Sequence, residues 1–147
     1  MAHHTKDKGD LAVGMVIADL LINGYHYAPL ISEHMPFDLI AIDSIKSWNL
    51  KKIQVKYIAR RNNVLTIDFR STYSDSNGIH VNKVDRTSFD AYAIYCPETH
   101  QIFYILTSEI PEEMGRSITL RLEKPIQNQQ KGVRMASNYL GVHRIFL

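Results

Sequence analysis

One segment with a helical repeat stands near the start of this chain, and almost everything after it alternates like strand. Across residues 11–23 the apolar Leu11, Met15, Ala18 and Ile22 recur at intervals of four, three and four, one face of an α-helix. Asp7 or Asp10 stands where an N-cap is needed, and Gly24 follows as a stop. Residues 25–31, rich in aromatics and broken by Pro29, read as a strand at a sheet edge. Residues 37–43, 52–59 and 64–70 also read as strands, with Asn62-Asn63 turning between the last two. Residues 91–96 and 102–107 form an apolar pair joined across Pro97, and 117–123 alternate once more. Polar residues 71–85, with a Ser-Asp-Ser-Asn-Gly run, are expected to be the longest loop. Residues 124–132 are polar and Gln-rich, and 133–140 are expected to close the chain as a short helix. A helix followed mostly by antiparallel strands predicts an α+β domain, one sheet with a helix packed on it.

The chain's 147 residues suit one domain and are too few for two separate cores. Hydrophobic residues at 45% and charged residues at 22% argue against disorder and fibrous repeats. The lone Cys96 excludes an intrachain disulfide and fits a reducing compartment. The longest apolar stretch, residues 11–22, is too short to span a bilayer, and residues 1–10 are too polar for a signal peptide. A soluble, cytoplasmic protein without membrane association is expected. His26, His80, His100 and His143 lack metal-ligand spacing, which argues against zinc.

The informative stretch is Pro36-Phe37-Asp38, followed after a turn by Gln54-Val55-Lys56. Gln54 and Lys56, two apart on a strand, share a face roughly 6–7 Å apart. If the two strands pair as a hairpin around residues 44–50, Asp38 approaches that face. Ile53, Val55 and Tyr57 then point the other way, into the helix. Individually these residues are ordinary: an acid after a proline turn, a solvated lysine, a lone glutamine. Their joint spacing suits phosphodiester hydrolysis. A carboxylate binds Mg²⁺, or Mn²⁺ in its place, through oxygen, the Gln54 amide oxygen and the Val55 carbonyl add neutral ligands, and Lys56 holds the attacking water.

These residues resemble the PD-(D/E)XK nucleases, with Gln54 where the acid usually stands. The wider context is similar to one branch of that superfamily: Lys8-Gly9-Asp10 opening a helix, residues 32–38, Ile53-Gln54-Val55-Lys56-Tyr57, and Phe89-Asp90-Ala91-Tyr92 leading into residues 95–99. That branch includes a bacterial group I intron homing endonuclease, and archaeal Holliday-junction resolvases are more distant kin. The likeness spans most of residues 8–122, so residues 1–147 read as a single endonuclease-like domain with a C-terminal extension over 123–147. It implies a restriction-endonuclease-like fold, a mixed central β-sheet with the N-terminal helix packed on it. It also implies a Mg²⁺-dependent endodeoxyribonuclease, with Asp38, Gln54 and Lys56 catalytic and Asp38, Gln54 and Val55 holding metal. One departure is on the first helix, where Val13 stands at the position of an acid found in many members.

Charge placement points to double-stranded DNA as the partner. Lys46, Lys51, Lys52, Lys56, Arg60 and Arg61 fall in residues 46–61 with no acid among them. Lys8, Lys52, Arg60, Arg61, Arg70 and Lys83 are the candidate DNA contacts. One centre cuts one strand, so double-strand cleavage of the homing type calls for a homodimer or homotetramer, with Ile145-Phe146-Leu147 available to its interface. Two alternatives are a junction resolvase and a DNA-binding module of the same fold whose catalysis has lapsed.

Overall fold

The computed structural model describes residues 4–124 and 132–147. Helix α1 runs Thr5–Ile22, with His4 as its N-cap and Gly24, at φ 84°, turning the chain out of it. The expected caps Asp7 and Asp10 therefore lie inside the helix. The buried stripe also differs from the expected one: Ala12, Val16 and Leu20 are buried, while Leu11 is partly exposed and Ile22 stands in solvent. Residues 11–22 are apolar nearly all round, so more than one stripe satisfies the period. Small Ala12 permits the closer approach to the sheet.

The central sheet contains β1 (His26–Pro29), β2 (Leu39–Asp43), β3 (Asn49–Tyr57), β7 (Ala91–Cys96) and β8 (Gln101–Leu106), in the order β1-β2-β3-β7-β8. β1 is at the edge, where Pro29 costs no ladder hydrogen bond. All neighbours are antiparallel except β3 and β7, which run parallel, so the sheet is mixed. Between these parallel neighbours lie β4 (Val64–Asp68), β5 (Arg70–Asp75) and β6 (Gly78–Lys83); β9 (Ser117–Arg121) pairs with β4.

Residues 71–85 are not a loop. β5 and β6 form a hairpin closed at Asp75 and Gly78, where Gly78 takes φ 119°. Its polar composition hid the alternation, although the Asn-Gly pair is a strong hairpin signal. The closing segment folds as two 3₁₀ turns, Ala136–Tyr139 and Val142–Phe146, rather than one helix. The polar stretch 124–132 lies largely outside the described residues.

Two cores flank the central sheet. On one face, Ala12, Val16 and Leu20 of α1 meet Leu39, Ala41, Ile53, Val55, Ala91 and Ala93, and the 3₁₀ residues Val142 and Ile145 join them. Ile145 is buried and Phe146 stacks on Tyr25 at 4.9 Å, so only Leu147 of the C-terminal trio remains exposed for an interface. On the other face, Leu65, Ile67, Ile118 and Leu120 of the β4–β9 pair cover Tyr92, Ile94, Phe103 and Ile105. β7 is buried along its whole length because it has a layer on each side. Cys96 lies in this second core as a buried thiol.

Candidate active site

The β2–β3 ladder ends at the pair Leu39–Ile53. Beyond it the chain before β2 turns away, and the edge of β3 at Val55 has no strand beside it. Asp38 fills that gap. Its N–H donates to the Ile53 carbonyl at 2.8 Å, and its Oδ2 accepts from the Val55 N–H at 2.7 Å. A strand residue's N–H and C=O share one edge, so the Val55 carbonyl faces the same opening. The divergence of two antiparallel strands thus seats a carboxylate against a strand backbone.

Alternation does the rest. Ile53, Val55 and Tyr57 contribute to the helix-side core, as the residue pattern predicts, which leaves Gln54 and Lys56 on the opposite face. The structure brings Asp38, Gln54, Val55 and Lys56 to one place. Burial pushes the Asp38 carboxyl above the usual carboxylate range, against the opposing pull of the Val55 N–H and the Lys56 charge. Burial likewise lowers the Lys56 ammonium, opposed first by Asp68 and then by Asp38. The Lys56 Nζ lies 5.8 Å from the centroid of the Tyr92 ring.

Asp68, at the end of β4, is a participant that the sequence reading missed. Its carboxylate sits in the fork of Arg70, with Nη2 to Oδ2 at 2.8 Å and Nε to Oδ1 at 3.1 Å, and is held at about 2. It lines an open cleft of about 550 Å³ with Tyr57, Ile58, Ala59, Arg61, Val64 and Thr66. No local motif marks Asp68, because it reaches Lys56 from a different sheet.

The candidate DNA contacts stand on different elements. Lys52 shares the face of Gln54 and Lys56, with Nζ 5.9 Å from the Phe37 ring centroid, and Arg61 lines the cleft beside Asp68. Arg60 follows β3, its N–H shared between the Glu98 carboxylate oxygens. Lys8 is on α1, Nζ 5.7 Å over the Tyr57 ring, and Arg70 is committed to Asp68. Lys83 ends β6 opposite Arg70, and its side chain lies outside the described residues. Val13 packs against the helix-side core and offers no ligand.

The donor set at Asp38 fits a hard divalent cation: one carboxylate with Oδ1 unengaged among the described residues, one carbonyl and one amide. A partly buried carboxylate pushed upward is short of positive charge, which a cation would supply. Among the described residues no group of three or more His, Cys, Asp or Glu is placed to hold a metal. None of the described helices is long and apolar enough to cross a membrane.

None of the curated proteins compared with the chain matches it. A solved structure of a bacterial homing endonuclease, I-Ssp6803I, superposes with a TM-score of 0.75 at 21% identity, over 99% of this chain and 94% of that one. It shares the fold: one N-terminal helix on a mixed sheet. The model of the PD-(D/E)XK endonuclease family matches residues 3–141. With that match across nearly its whole length, the chain belongs to the PD-(D/E)XK endonuclease family.

Proposed function

We propose that the protein is a metal-dependent DNA endonuclease that cleaves double-stranded DNA at specific sites as a homodimer or homotetramer. The observation that carries this is the bond from the Val55 N–H to Asp38, which locks the acid to the strand bearing Gln54 and Lys56. Asp38, the Gln54 amide oxygen and the Val55 carbonyl would hold the cation, Mg²⁺ or Mn²⁺. When bound, it supplies Lewis acidity at the scissile phosphate and a water acidic enough to attack. Lys56 orients that water through its N–H groups and offsets charge gathering on the phosphoryl oxygens. Burial among Tyr92 and the two aspartates limits the geometries open to its ammonium. Lys52 and Arg61 neutralise backbone phosphates on either side.

A second reading is favoured by Val13: with an apolar side chain on the helix and an amide at Gln54, the module binds DNA without cutting it. Plasmid cleavage in Mg²⁺ or Mn²⁺, comparing the wild type with Asp38→Ala and Lys56→Ala, separates the two. Cleavage by the wild type alone supports the enzyme. DNA binding by all three proteins with cleavage by none supports the lapsed module. Preference for four-way junctions over linear duplex would reassign the substrate to branched DNA.

A further inference from the structure

The turn between β2 and β3 carries an exposed apolar tip, on a strand that leads to the candidate site. Ile45 and Trp48 in the turn are 81% and 71% exposed, and Leu50, just inside β3, is 54% exposed. Trp48 also takes φ 55°, in the left-handed region, where a bulky side chain strains the backbone. A turn that had only to reverse the chain would place Gly or Asn there, and strain of this kind gathers at functional positions. The backbone of the tip is held from below. The buried Asp43 carboxylate accepts through Oδ1 from the Ile45 and Lys46 N–H groups, at 3.1 and 3.3 Å, and Asp43 pairs with Asn49 across the ladder. Residues 44–52 include Lys46, Lys51 and Lys52 and no acid. Leu50 and Lys52 alternate onto the face of β3 that carries Gln54 and Lys56.

We propose that this tip is a contact for duplex DNA, with Trp48 packing against bases and Lys46 and Lys51 holding phosphates beside it. The inference rests on the nuclease reading of Asp38, Gln54 and Lys56 and extends the DNA contact away from the cut. The strand from Asn49 to Lys56 rises about 23 Å, the length of about seven base pairs. The tip therefore meets the duplex well beyond the scissile phosphate. A large apolar side chain among cations suits a wedge against base steps that is anchored on the backbone. Charge favours the duplex over a second copy of the chain. A two-fold contact through the tip sets one cluster of lysines near its twin, with no acid in the turn to answer it. A polyanion gains from the same charges.

Trp48 is the chain's one tryptophan, so its emission reports on the tip directly. Titrating a short duplex into the wild type in EDTA should quench that emission, with a midpoint matching the anisotropy of a labelled duplex. Trp48→Ala should weaken binding about fivefold or more, with the slope of log K against log salt unchanged. Trp48→Phe should recover most of that loss. Lys46→Gln and Lys51→Gln should each lower the slope by about 0.9, one phosphate contact apiece. The melting temperature of Trp48→Ala should match that of the wild type, because the exposed ring supports little of the core. Anisotropy that rises with no change in emission overturns the contact, as does unchanged affinity in Trp48→Ala. Emission that shifts with protein concentration, and not with duplex, makes the tip a surface for a second copy and also overturns it. Failure of the broader reading looks different. Quenching and tight binding with no cleavage in Mg²⁺ or Mn²⁺ leave the contact standing and remove the nuclease. A wild type that binds no duplex even at low salt removes both.

Discussion

The Asp38 carboxylate is bonded to the backbone N–H of Val55, one residue from Lys56, at 2.7 Å. The acid is therefore tied to the strand of the lysine by main chain rather than by a side-chain ion pair. Asp38→Asn keeps an acceptor for that N–H and removes the charge. Cleavage in the plasmid assay is expected to fall by about 10²–10³-fold or more. Stability should move the other way with pH. Folding raises the Asp38 pKa, so its ionised form is disfavoured in the folded protein, and the cost appears as pH rises through the carboxylate range. The melting temperature of Asp38→Asn relative to wild type should thus be higher near pH 7 than below about pH 4. A flat difference across that range contradicts the assignment.

Lys56 poses the same conflict from the other side. Its ammonium is disfavoured by burial, so Lys56→Met, which keeps the stem, should melt at or above the wild-type temperature. Cleavage should drop by about 10²-fold or more, while DNA affinity changes little. Parallel melting and nicking assays read both quantities, and a variant that loses stability and cleavage together would make Lys56 a packing residue.

Asp68 titrates in the opposite sense to Asp38. Arg70 holds it at about 2, below the range of an unfolded aspartate, so its contribution to stability is complete above about pH 4 and lost as pH falls towards 2. The melting gap between wild type and Asp68→Asn should close over that window. It should also shrink in high salt, because the pair is partly exposed to solvent.

The Tyr104 hydroxyl donates to Asp19 at 2.6 Å, joining β8 to α1 across the helix-side core. Asp19 also accepts from the Asn23 amide at 3.2 Å, so it keeps one partner when the other is removed. Tyr104→Phe should cost about 1.5–3 kcal/mol in urea unfolding and leave cleavage per folded molecule unchanged.

The C-terminal residues close the core rather than extend beyond it. Ile145→Ala should cost about 2–5 kcal/mol, measured by the same unfolding titration. A near-neutral result would mean that this turn is not packed as described.

The order of elements and the position of Asp38 against Gln54 and Lys56 were legible because each depends on a short repeat. Ile53, Val55 and Tyr57 alternate with the polar face, and strand geometry then fixes which side each side chain takes. The phase of α1 was not legible: with Leu11, Ala12, Met15, Val16, Ala18 and Leu20 all apolar, only the packing of the helix on the sheet decides. The β5–β6 hairpin was hidden because most of its residues are polar, and the alternating Ile79 and Val81 of β6 stand exposed rather than facing a core. Asp68 and Tyr92 carry no local signature. They reach the neighbourhood of Lys56 from two separate stretches, and a linear pattern records no such meeting.

The parallel pairing of β3 with β7 makes residues 58–90 a single excursion that leaves the central sheet and returns beside its point of departure. Asp38, Gln54 and Lys56 all precede that detour. Within it β4 must stay, because it covers the second core, but the entropy of closing a loop grows only slowly with its length, so descendants of this chain have latitude to lengthen or trim the β5–β6 hairpin.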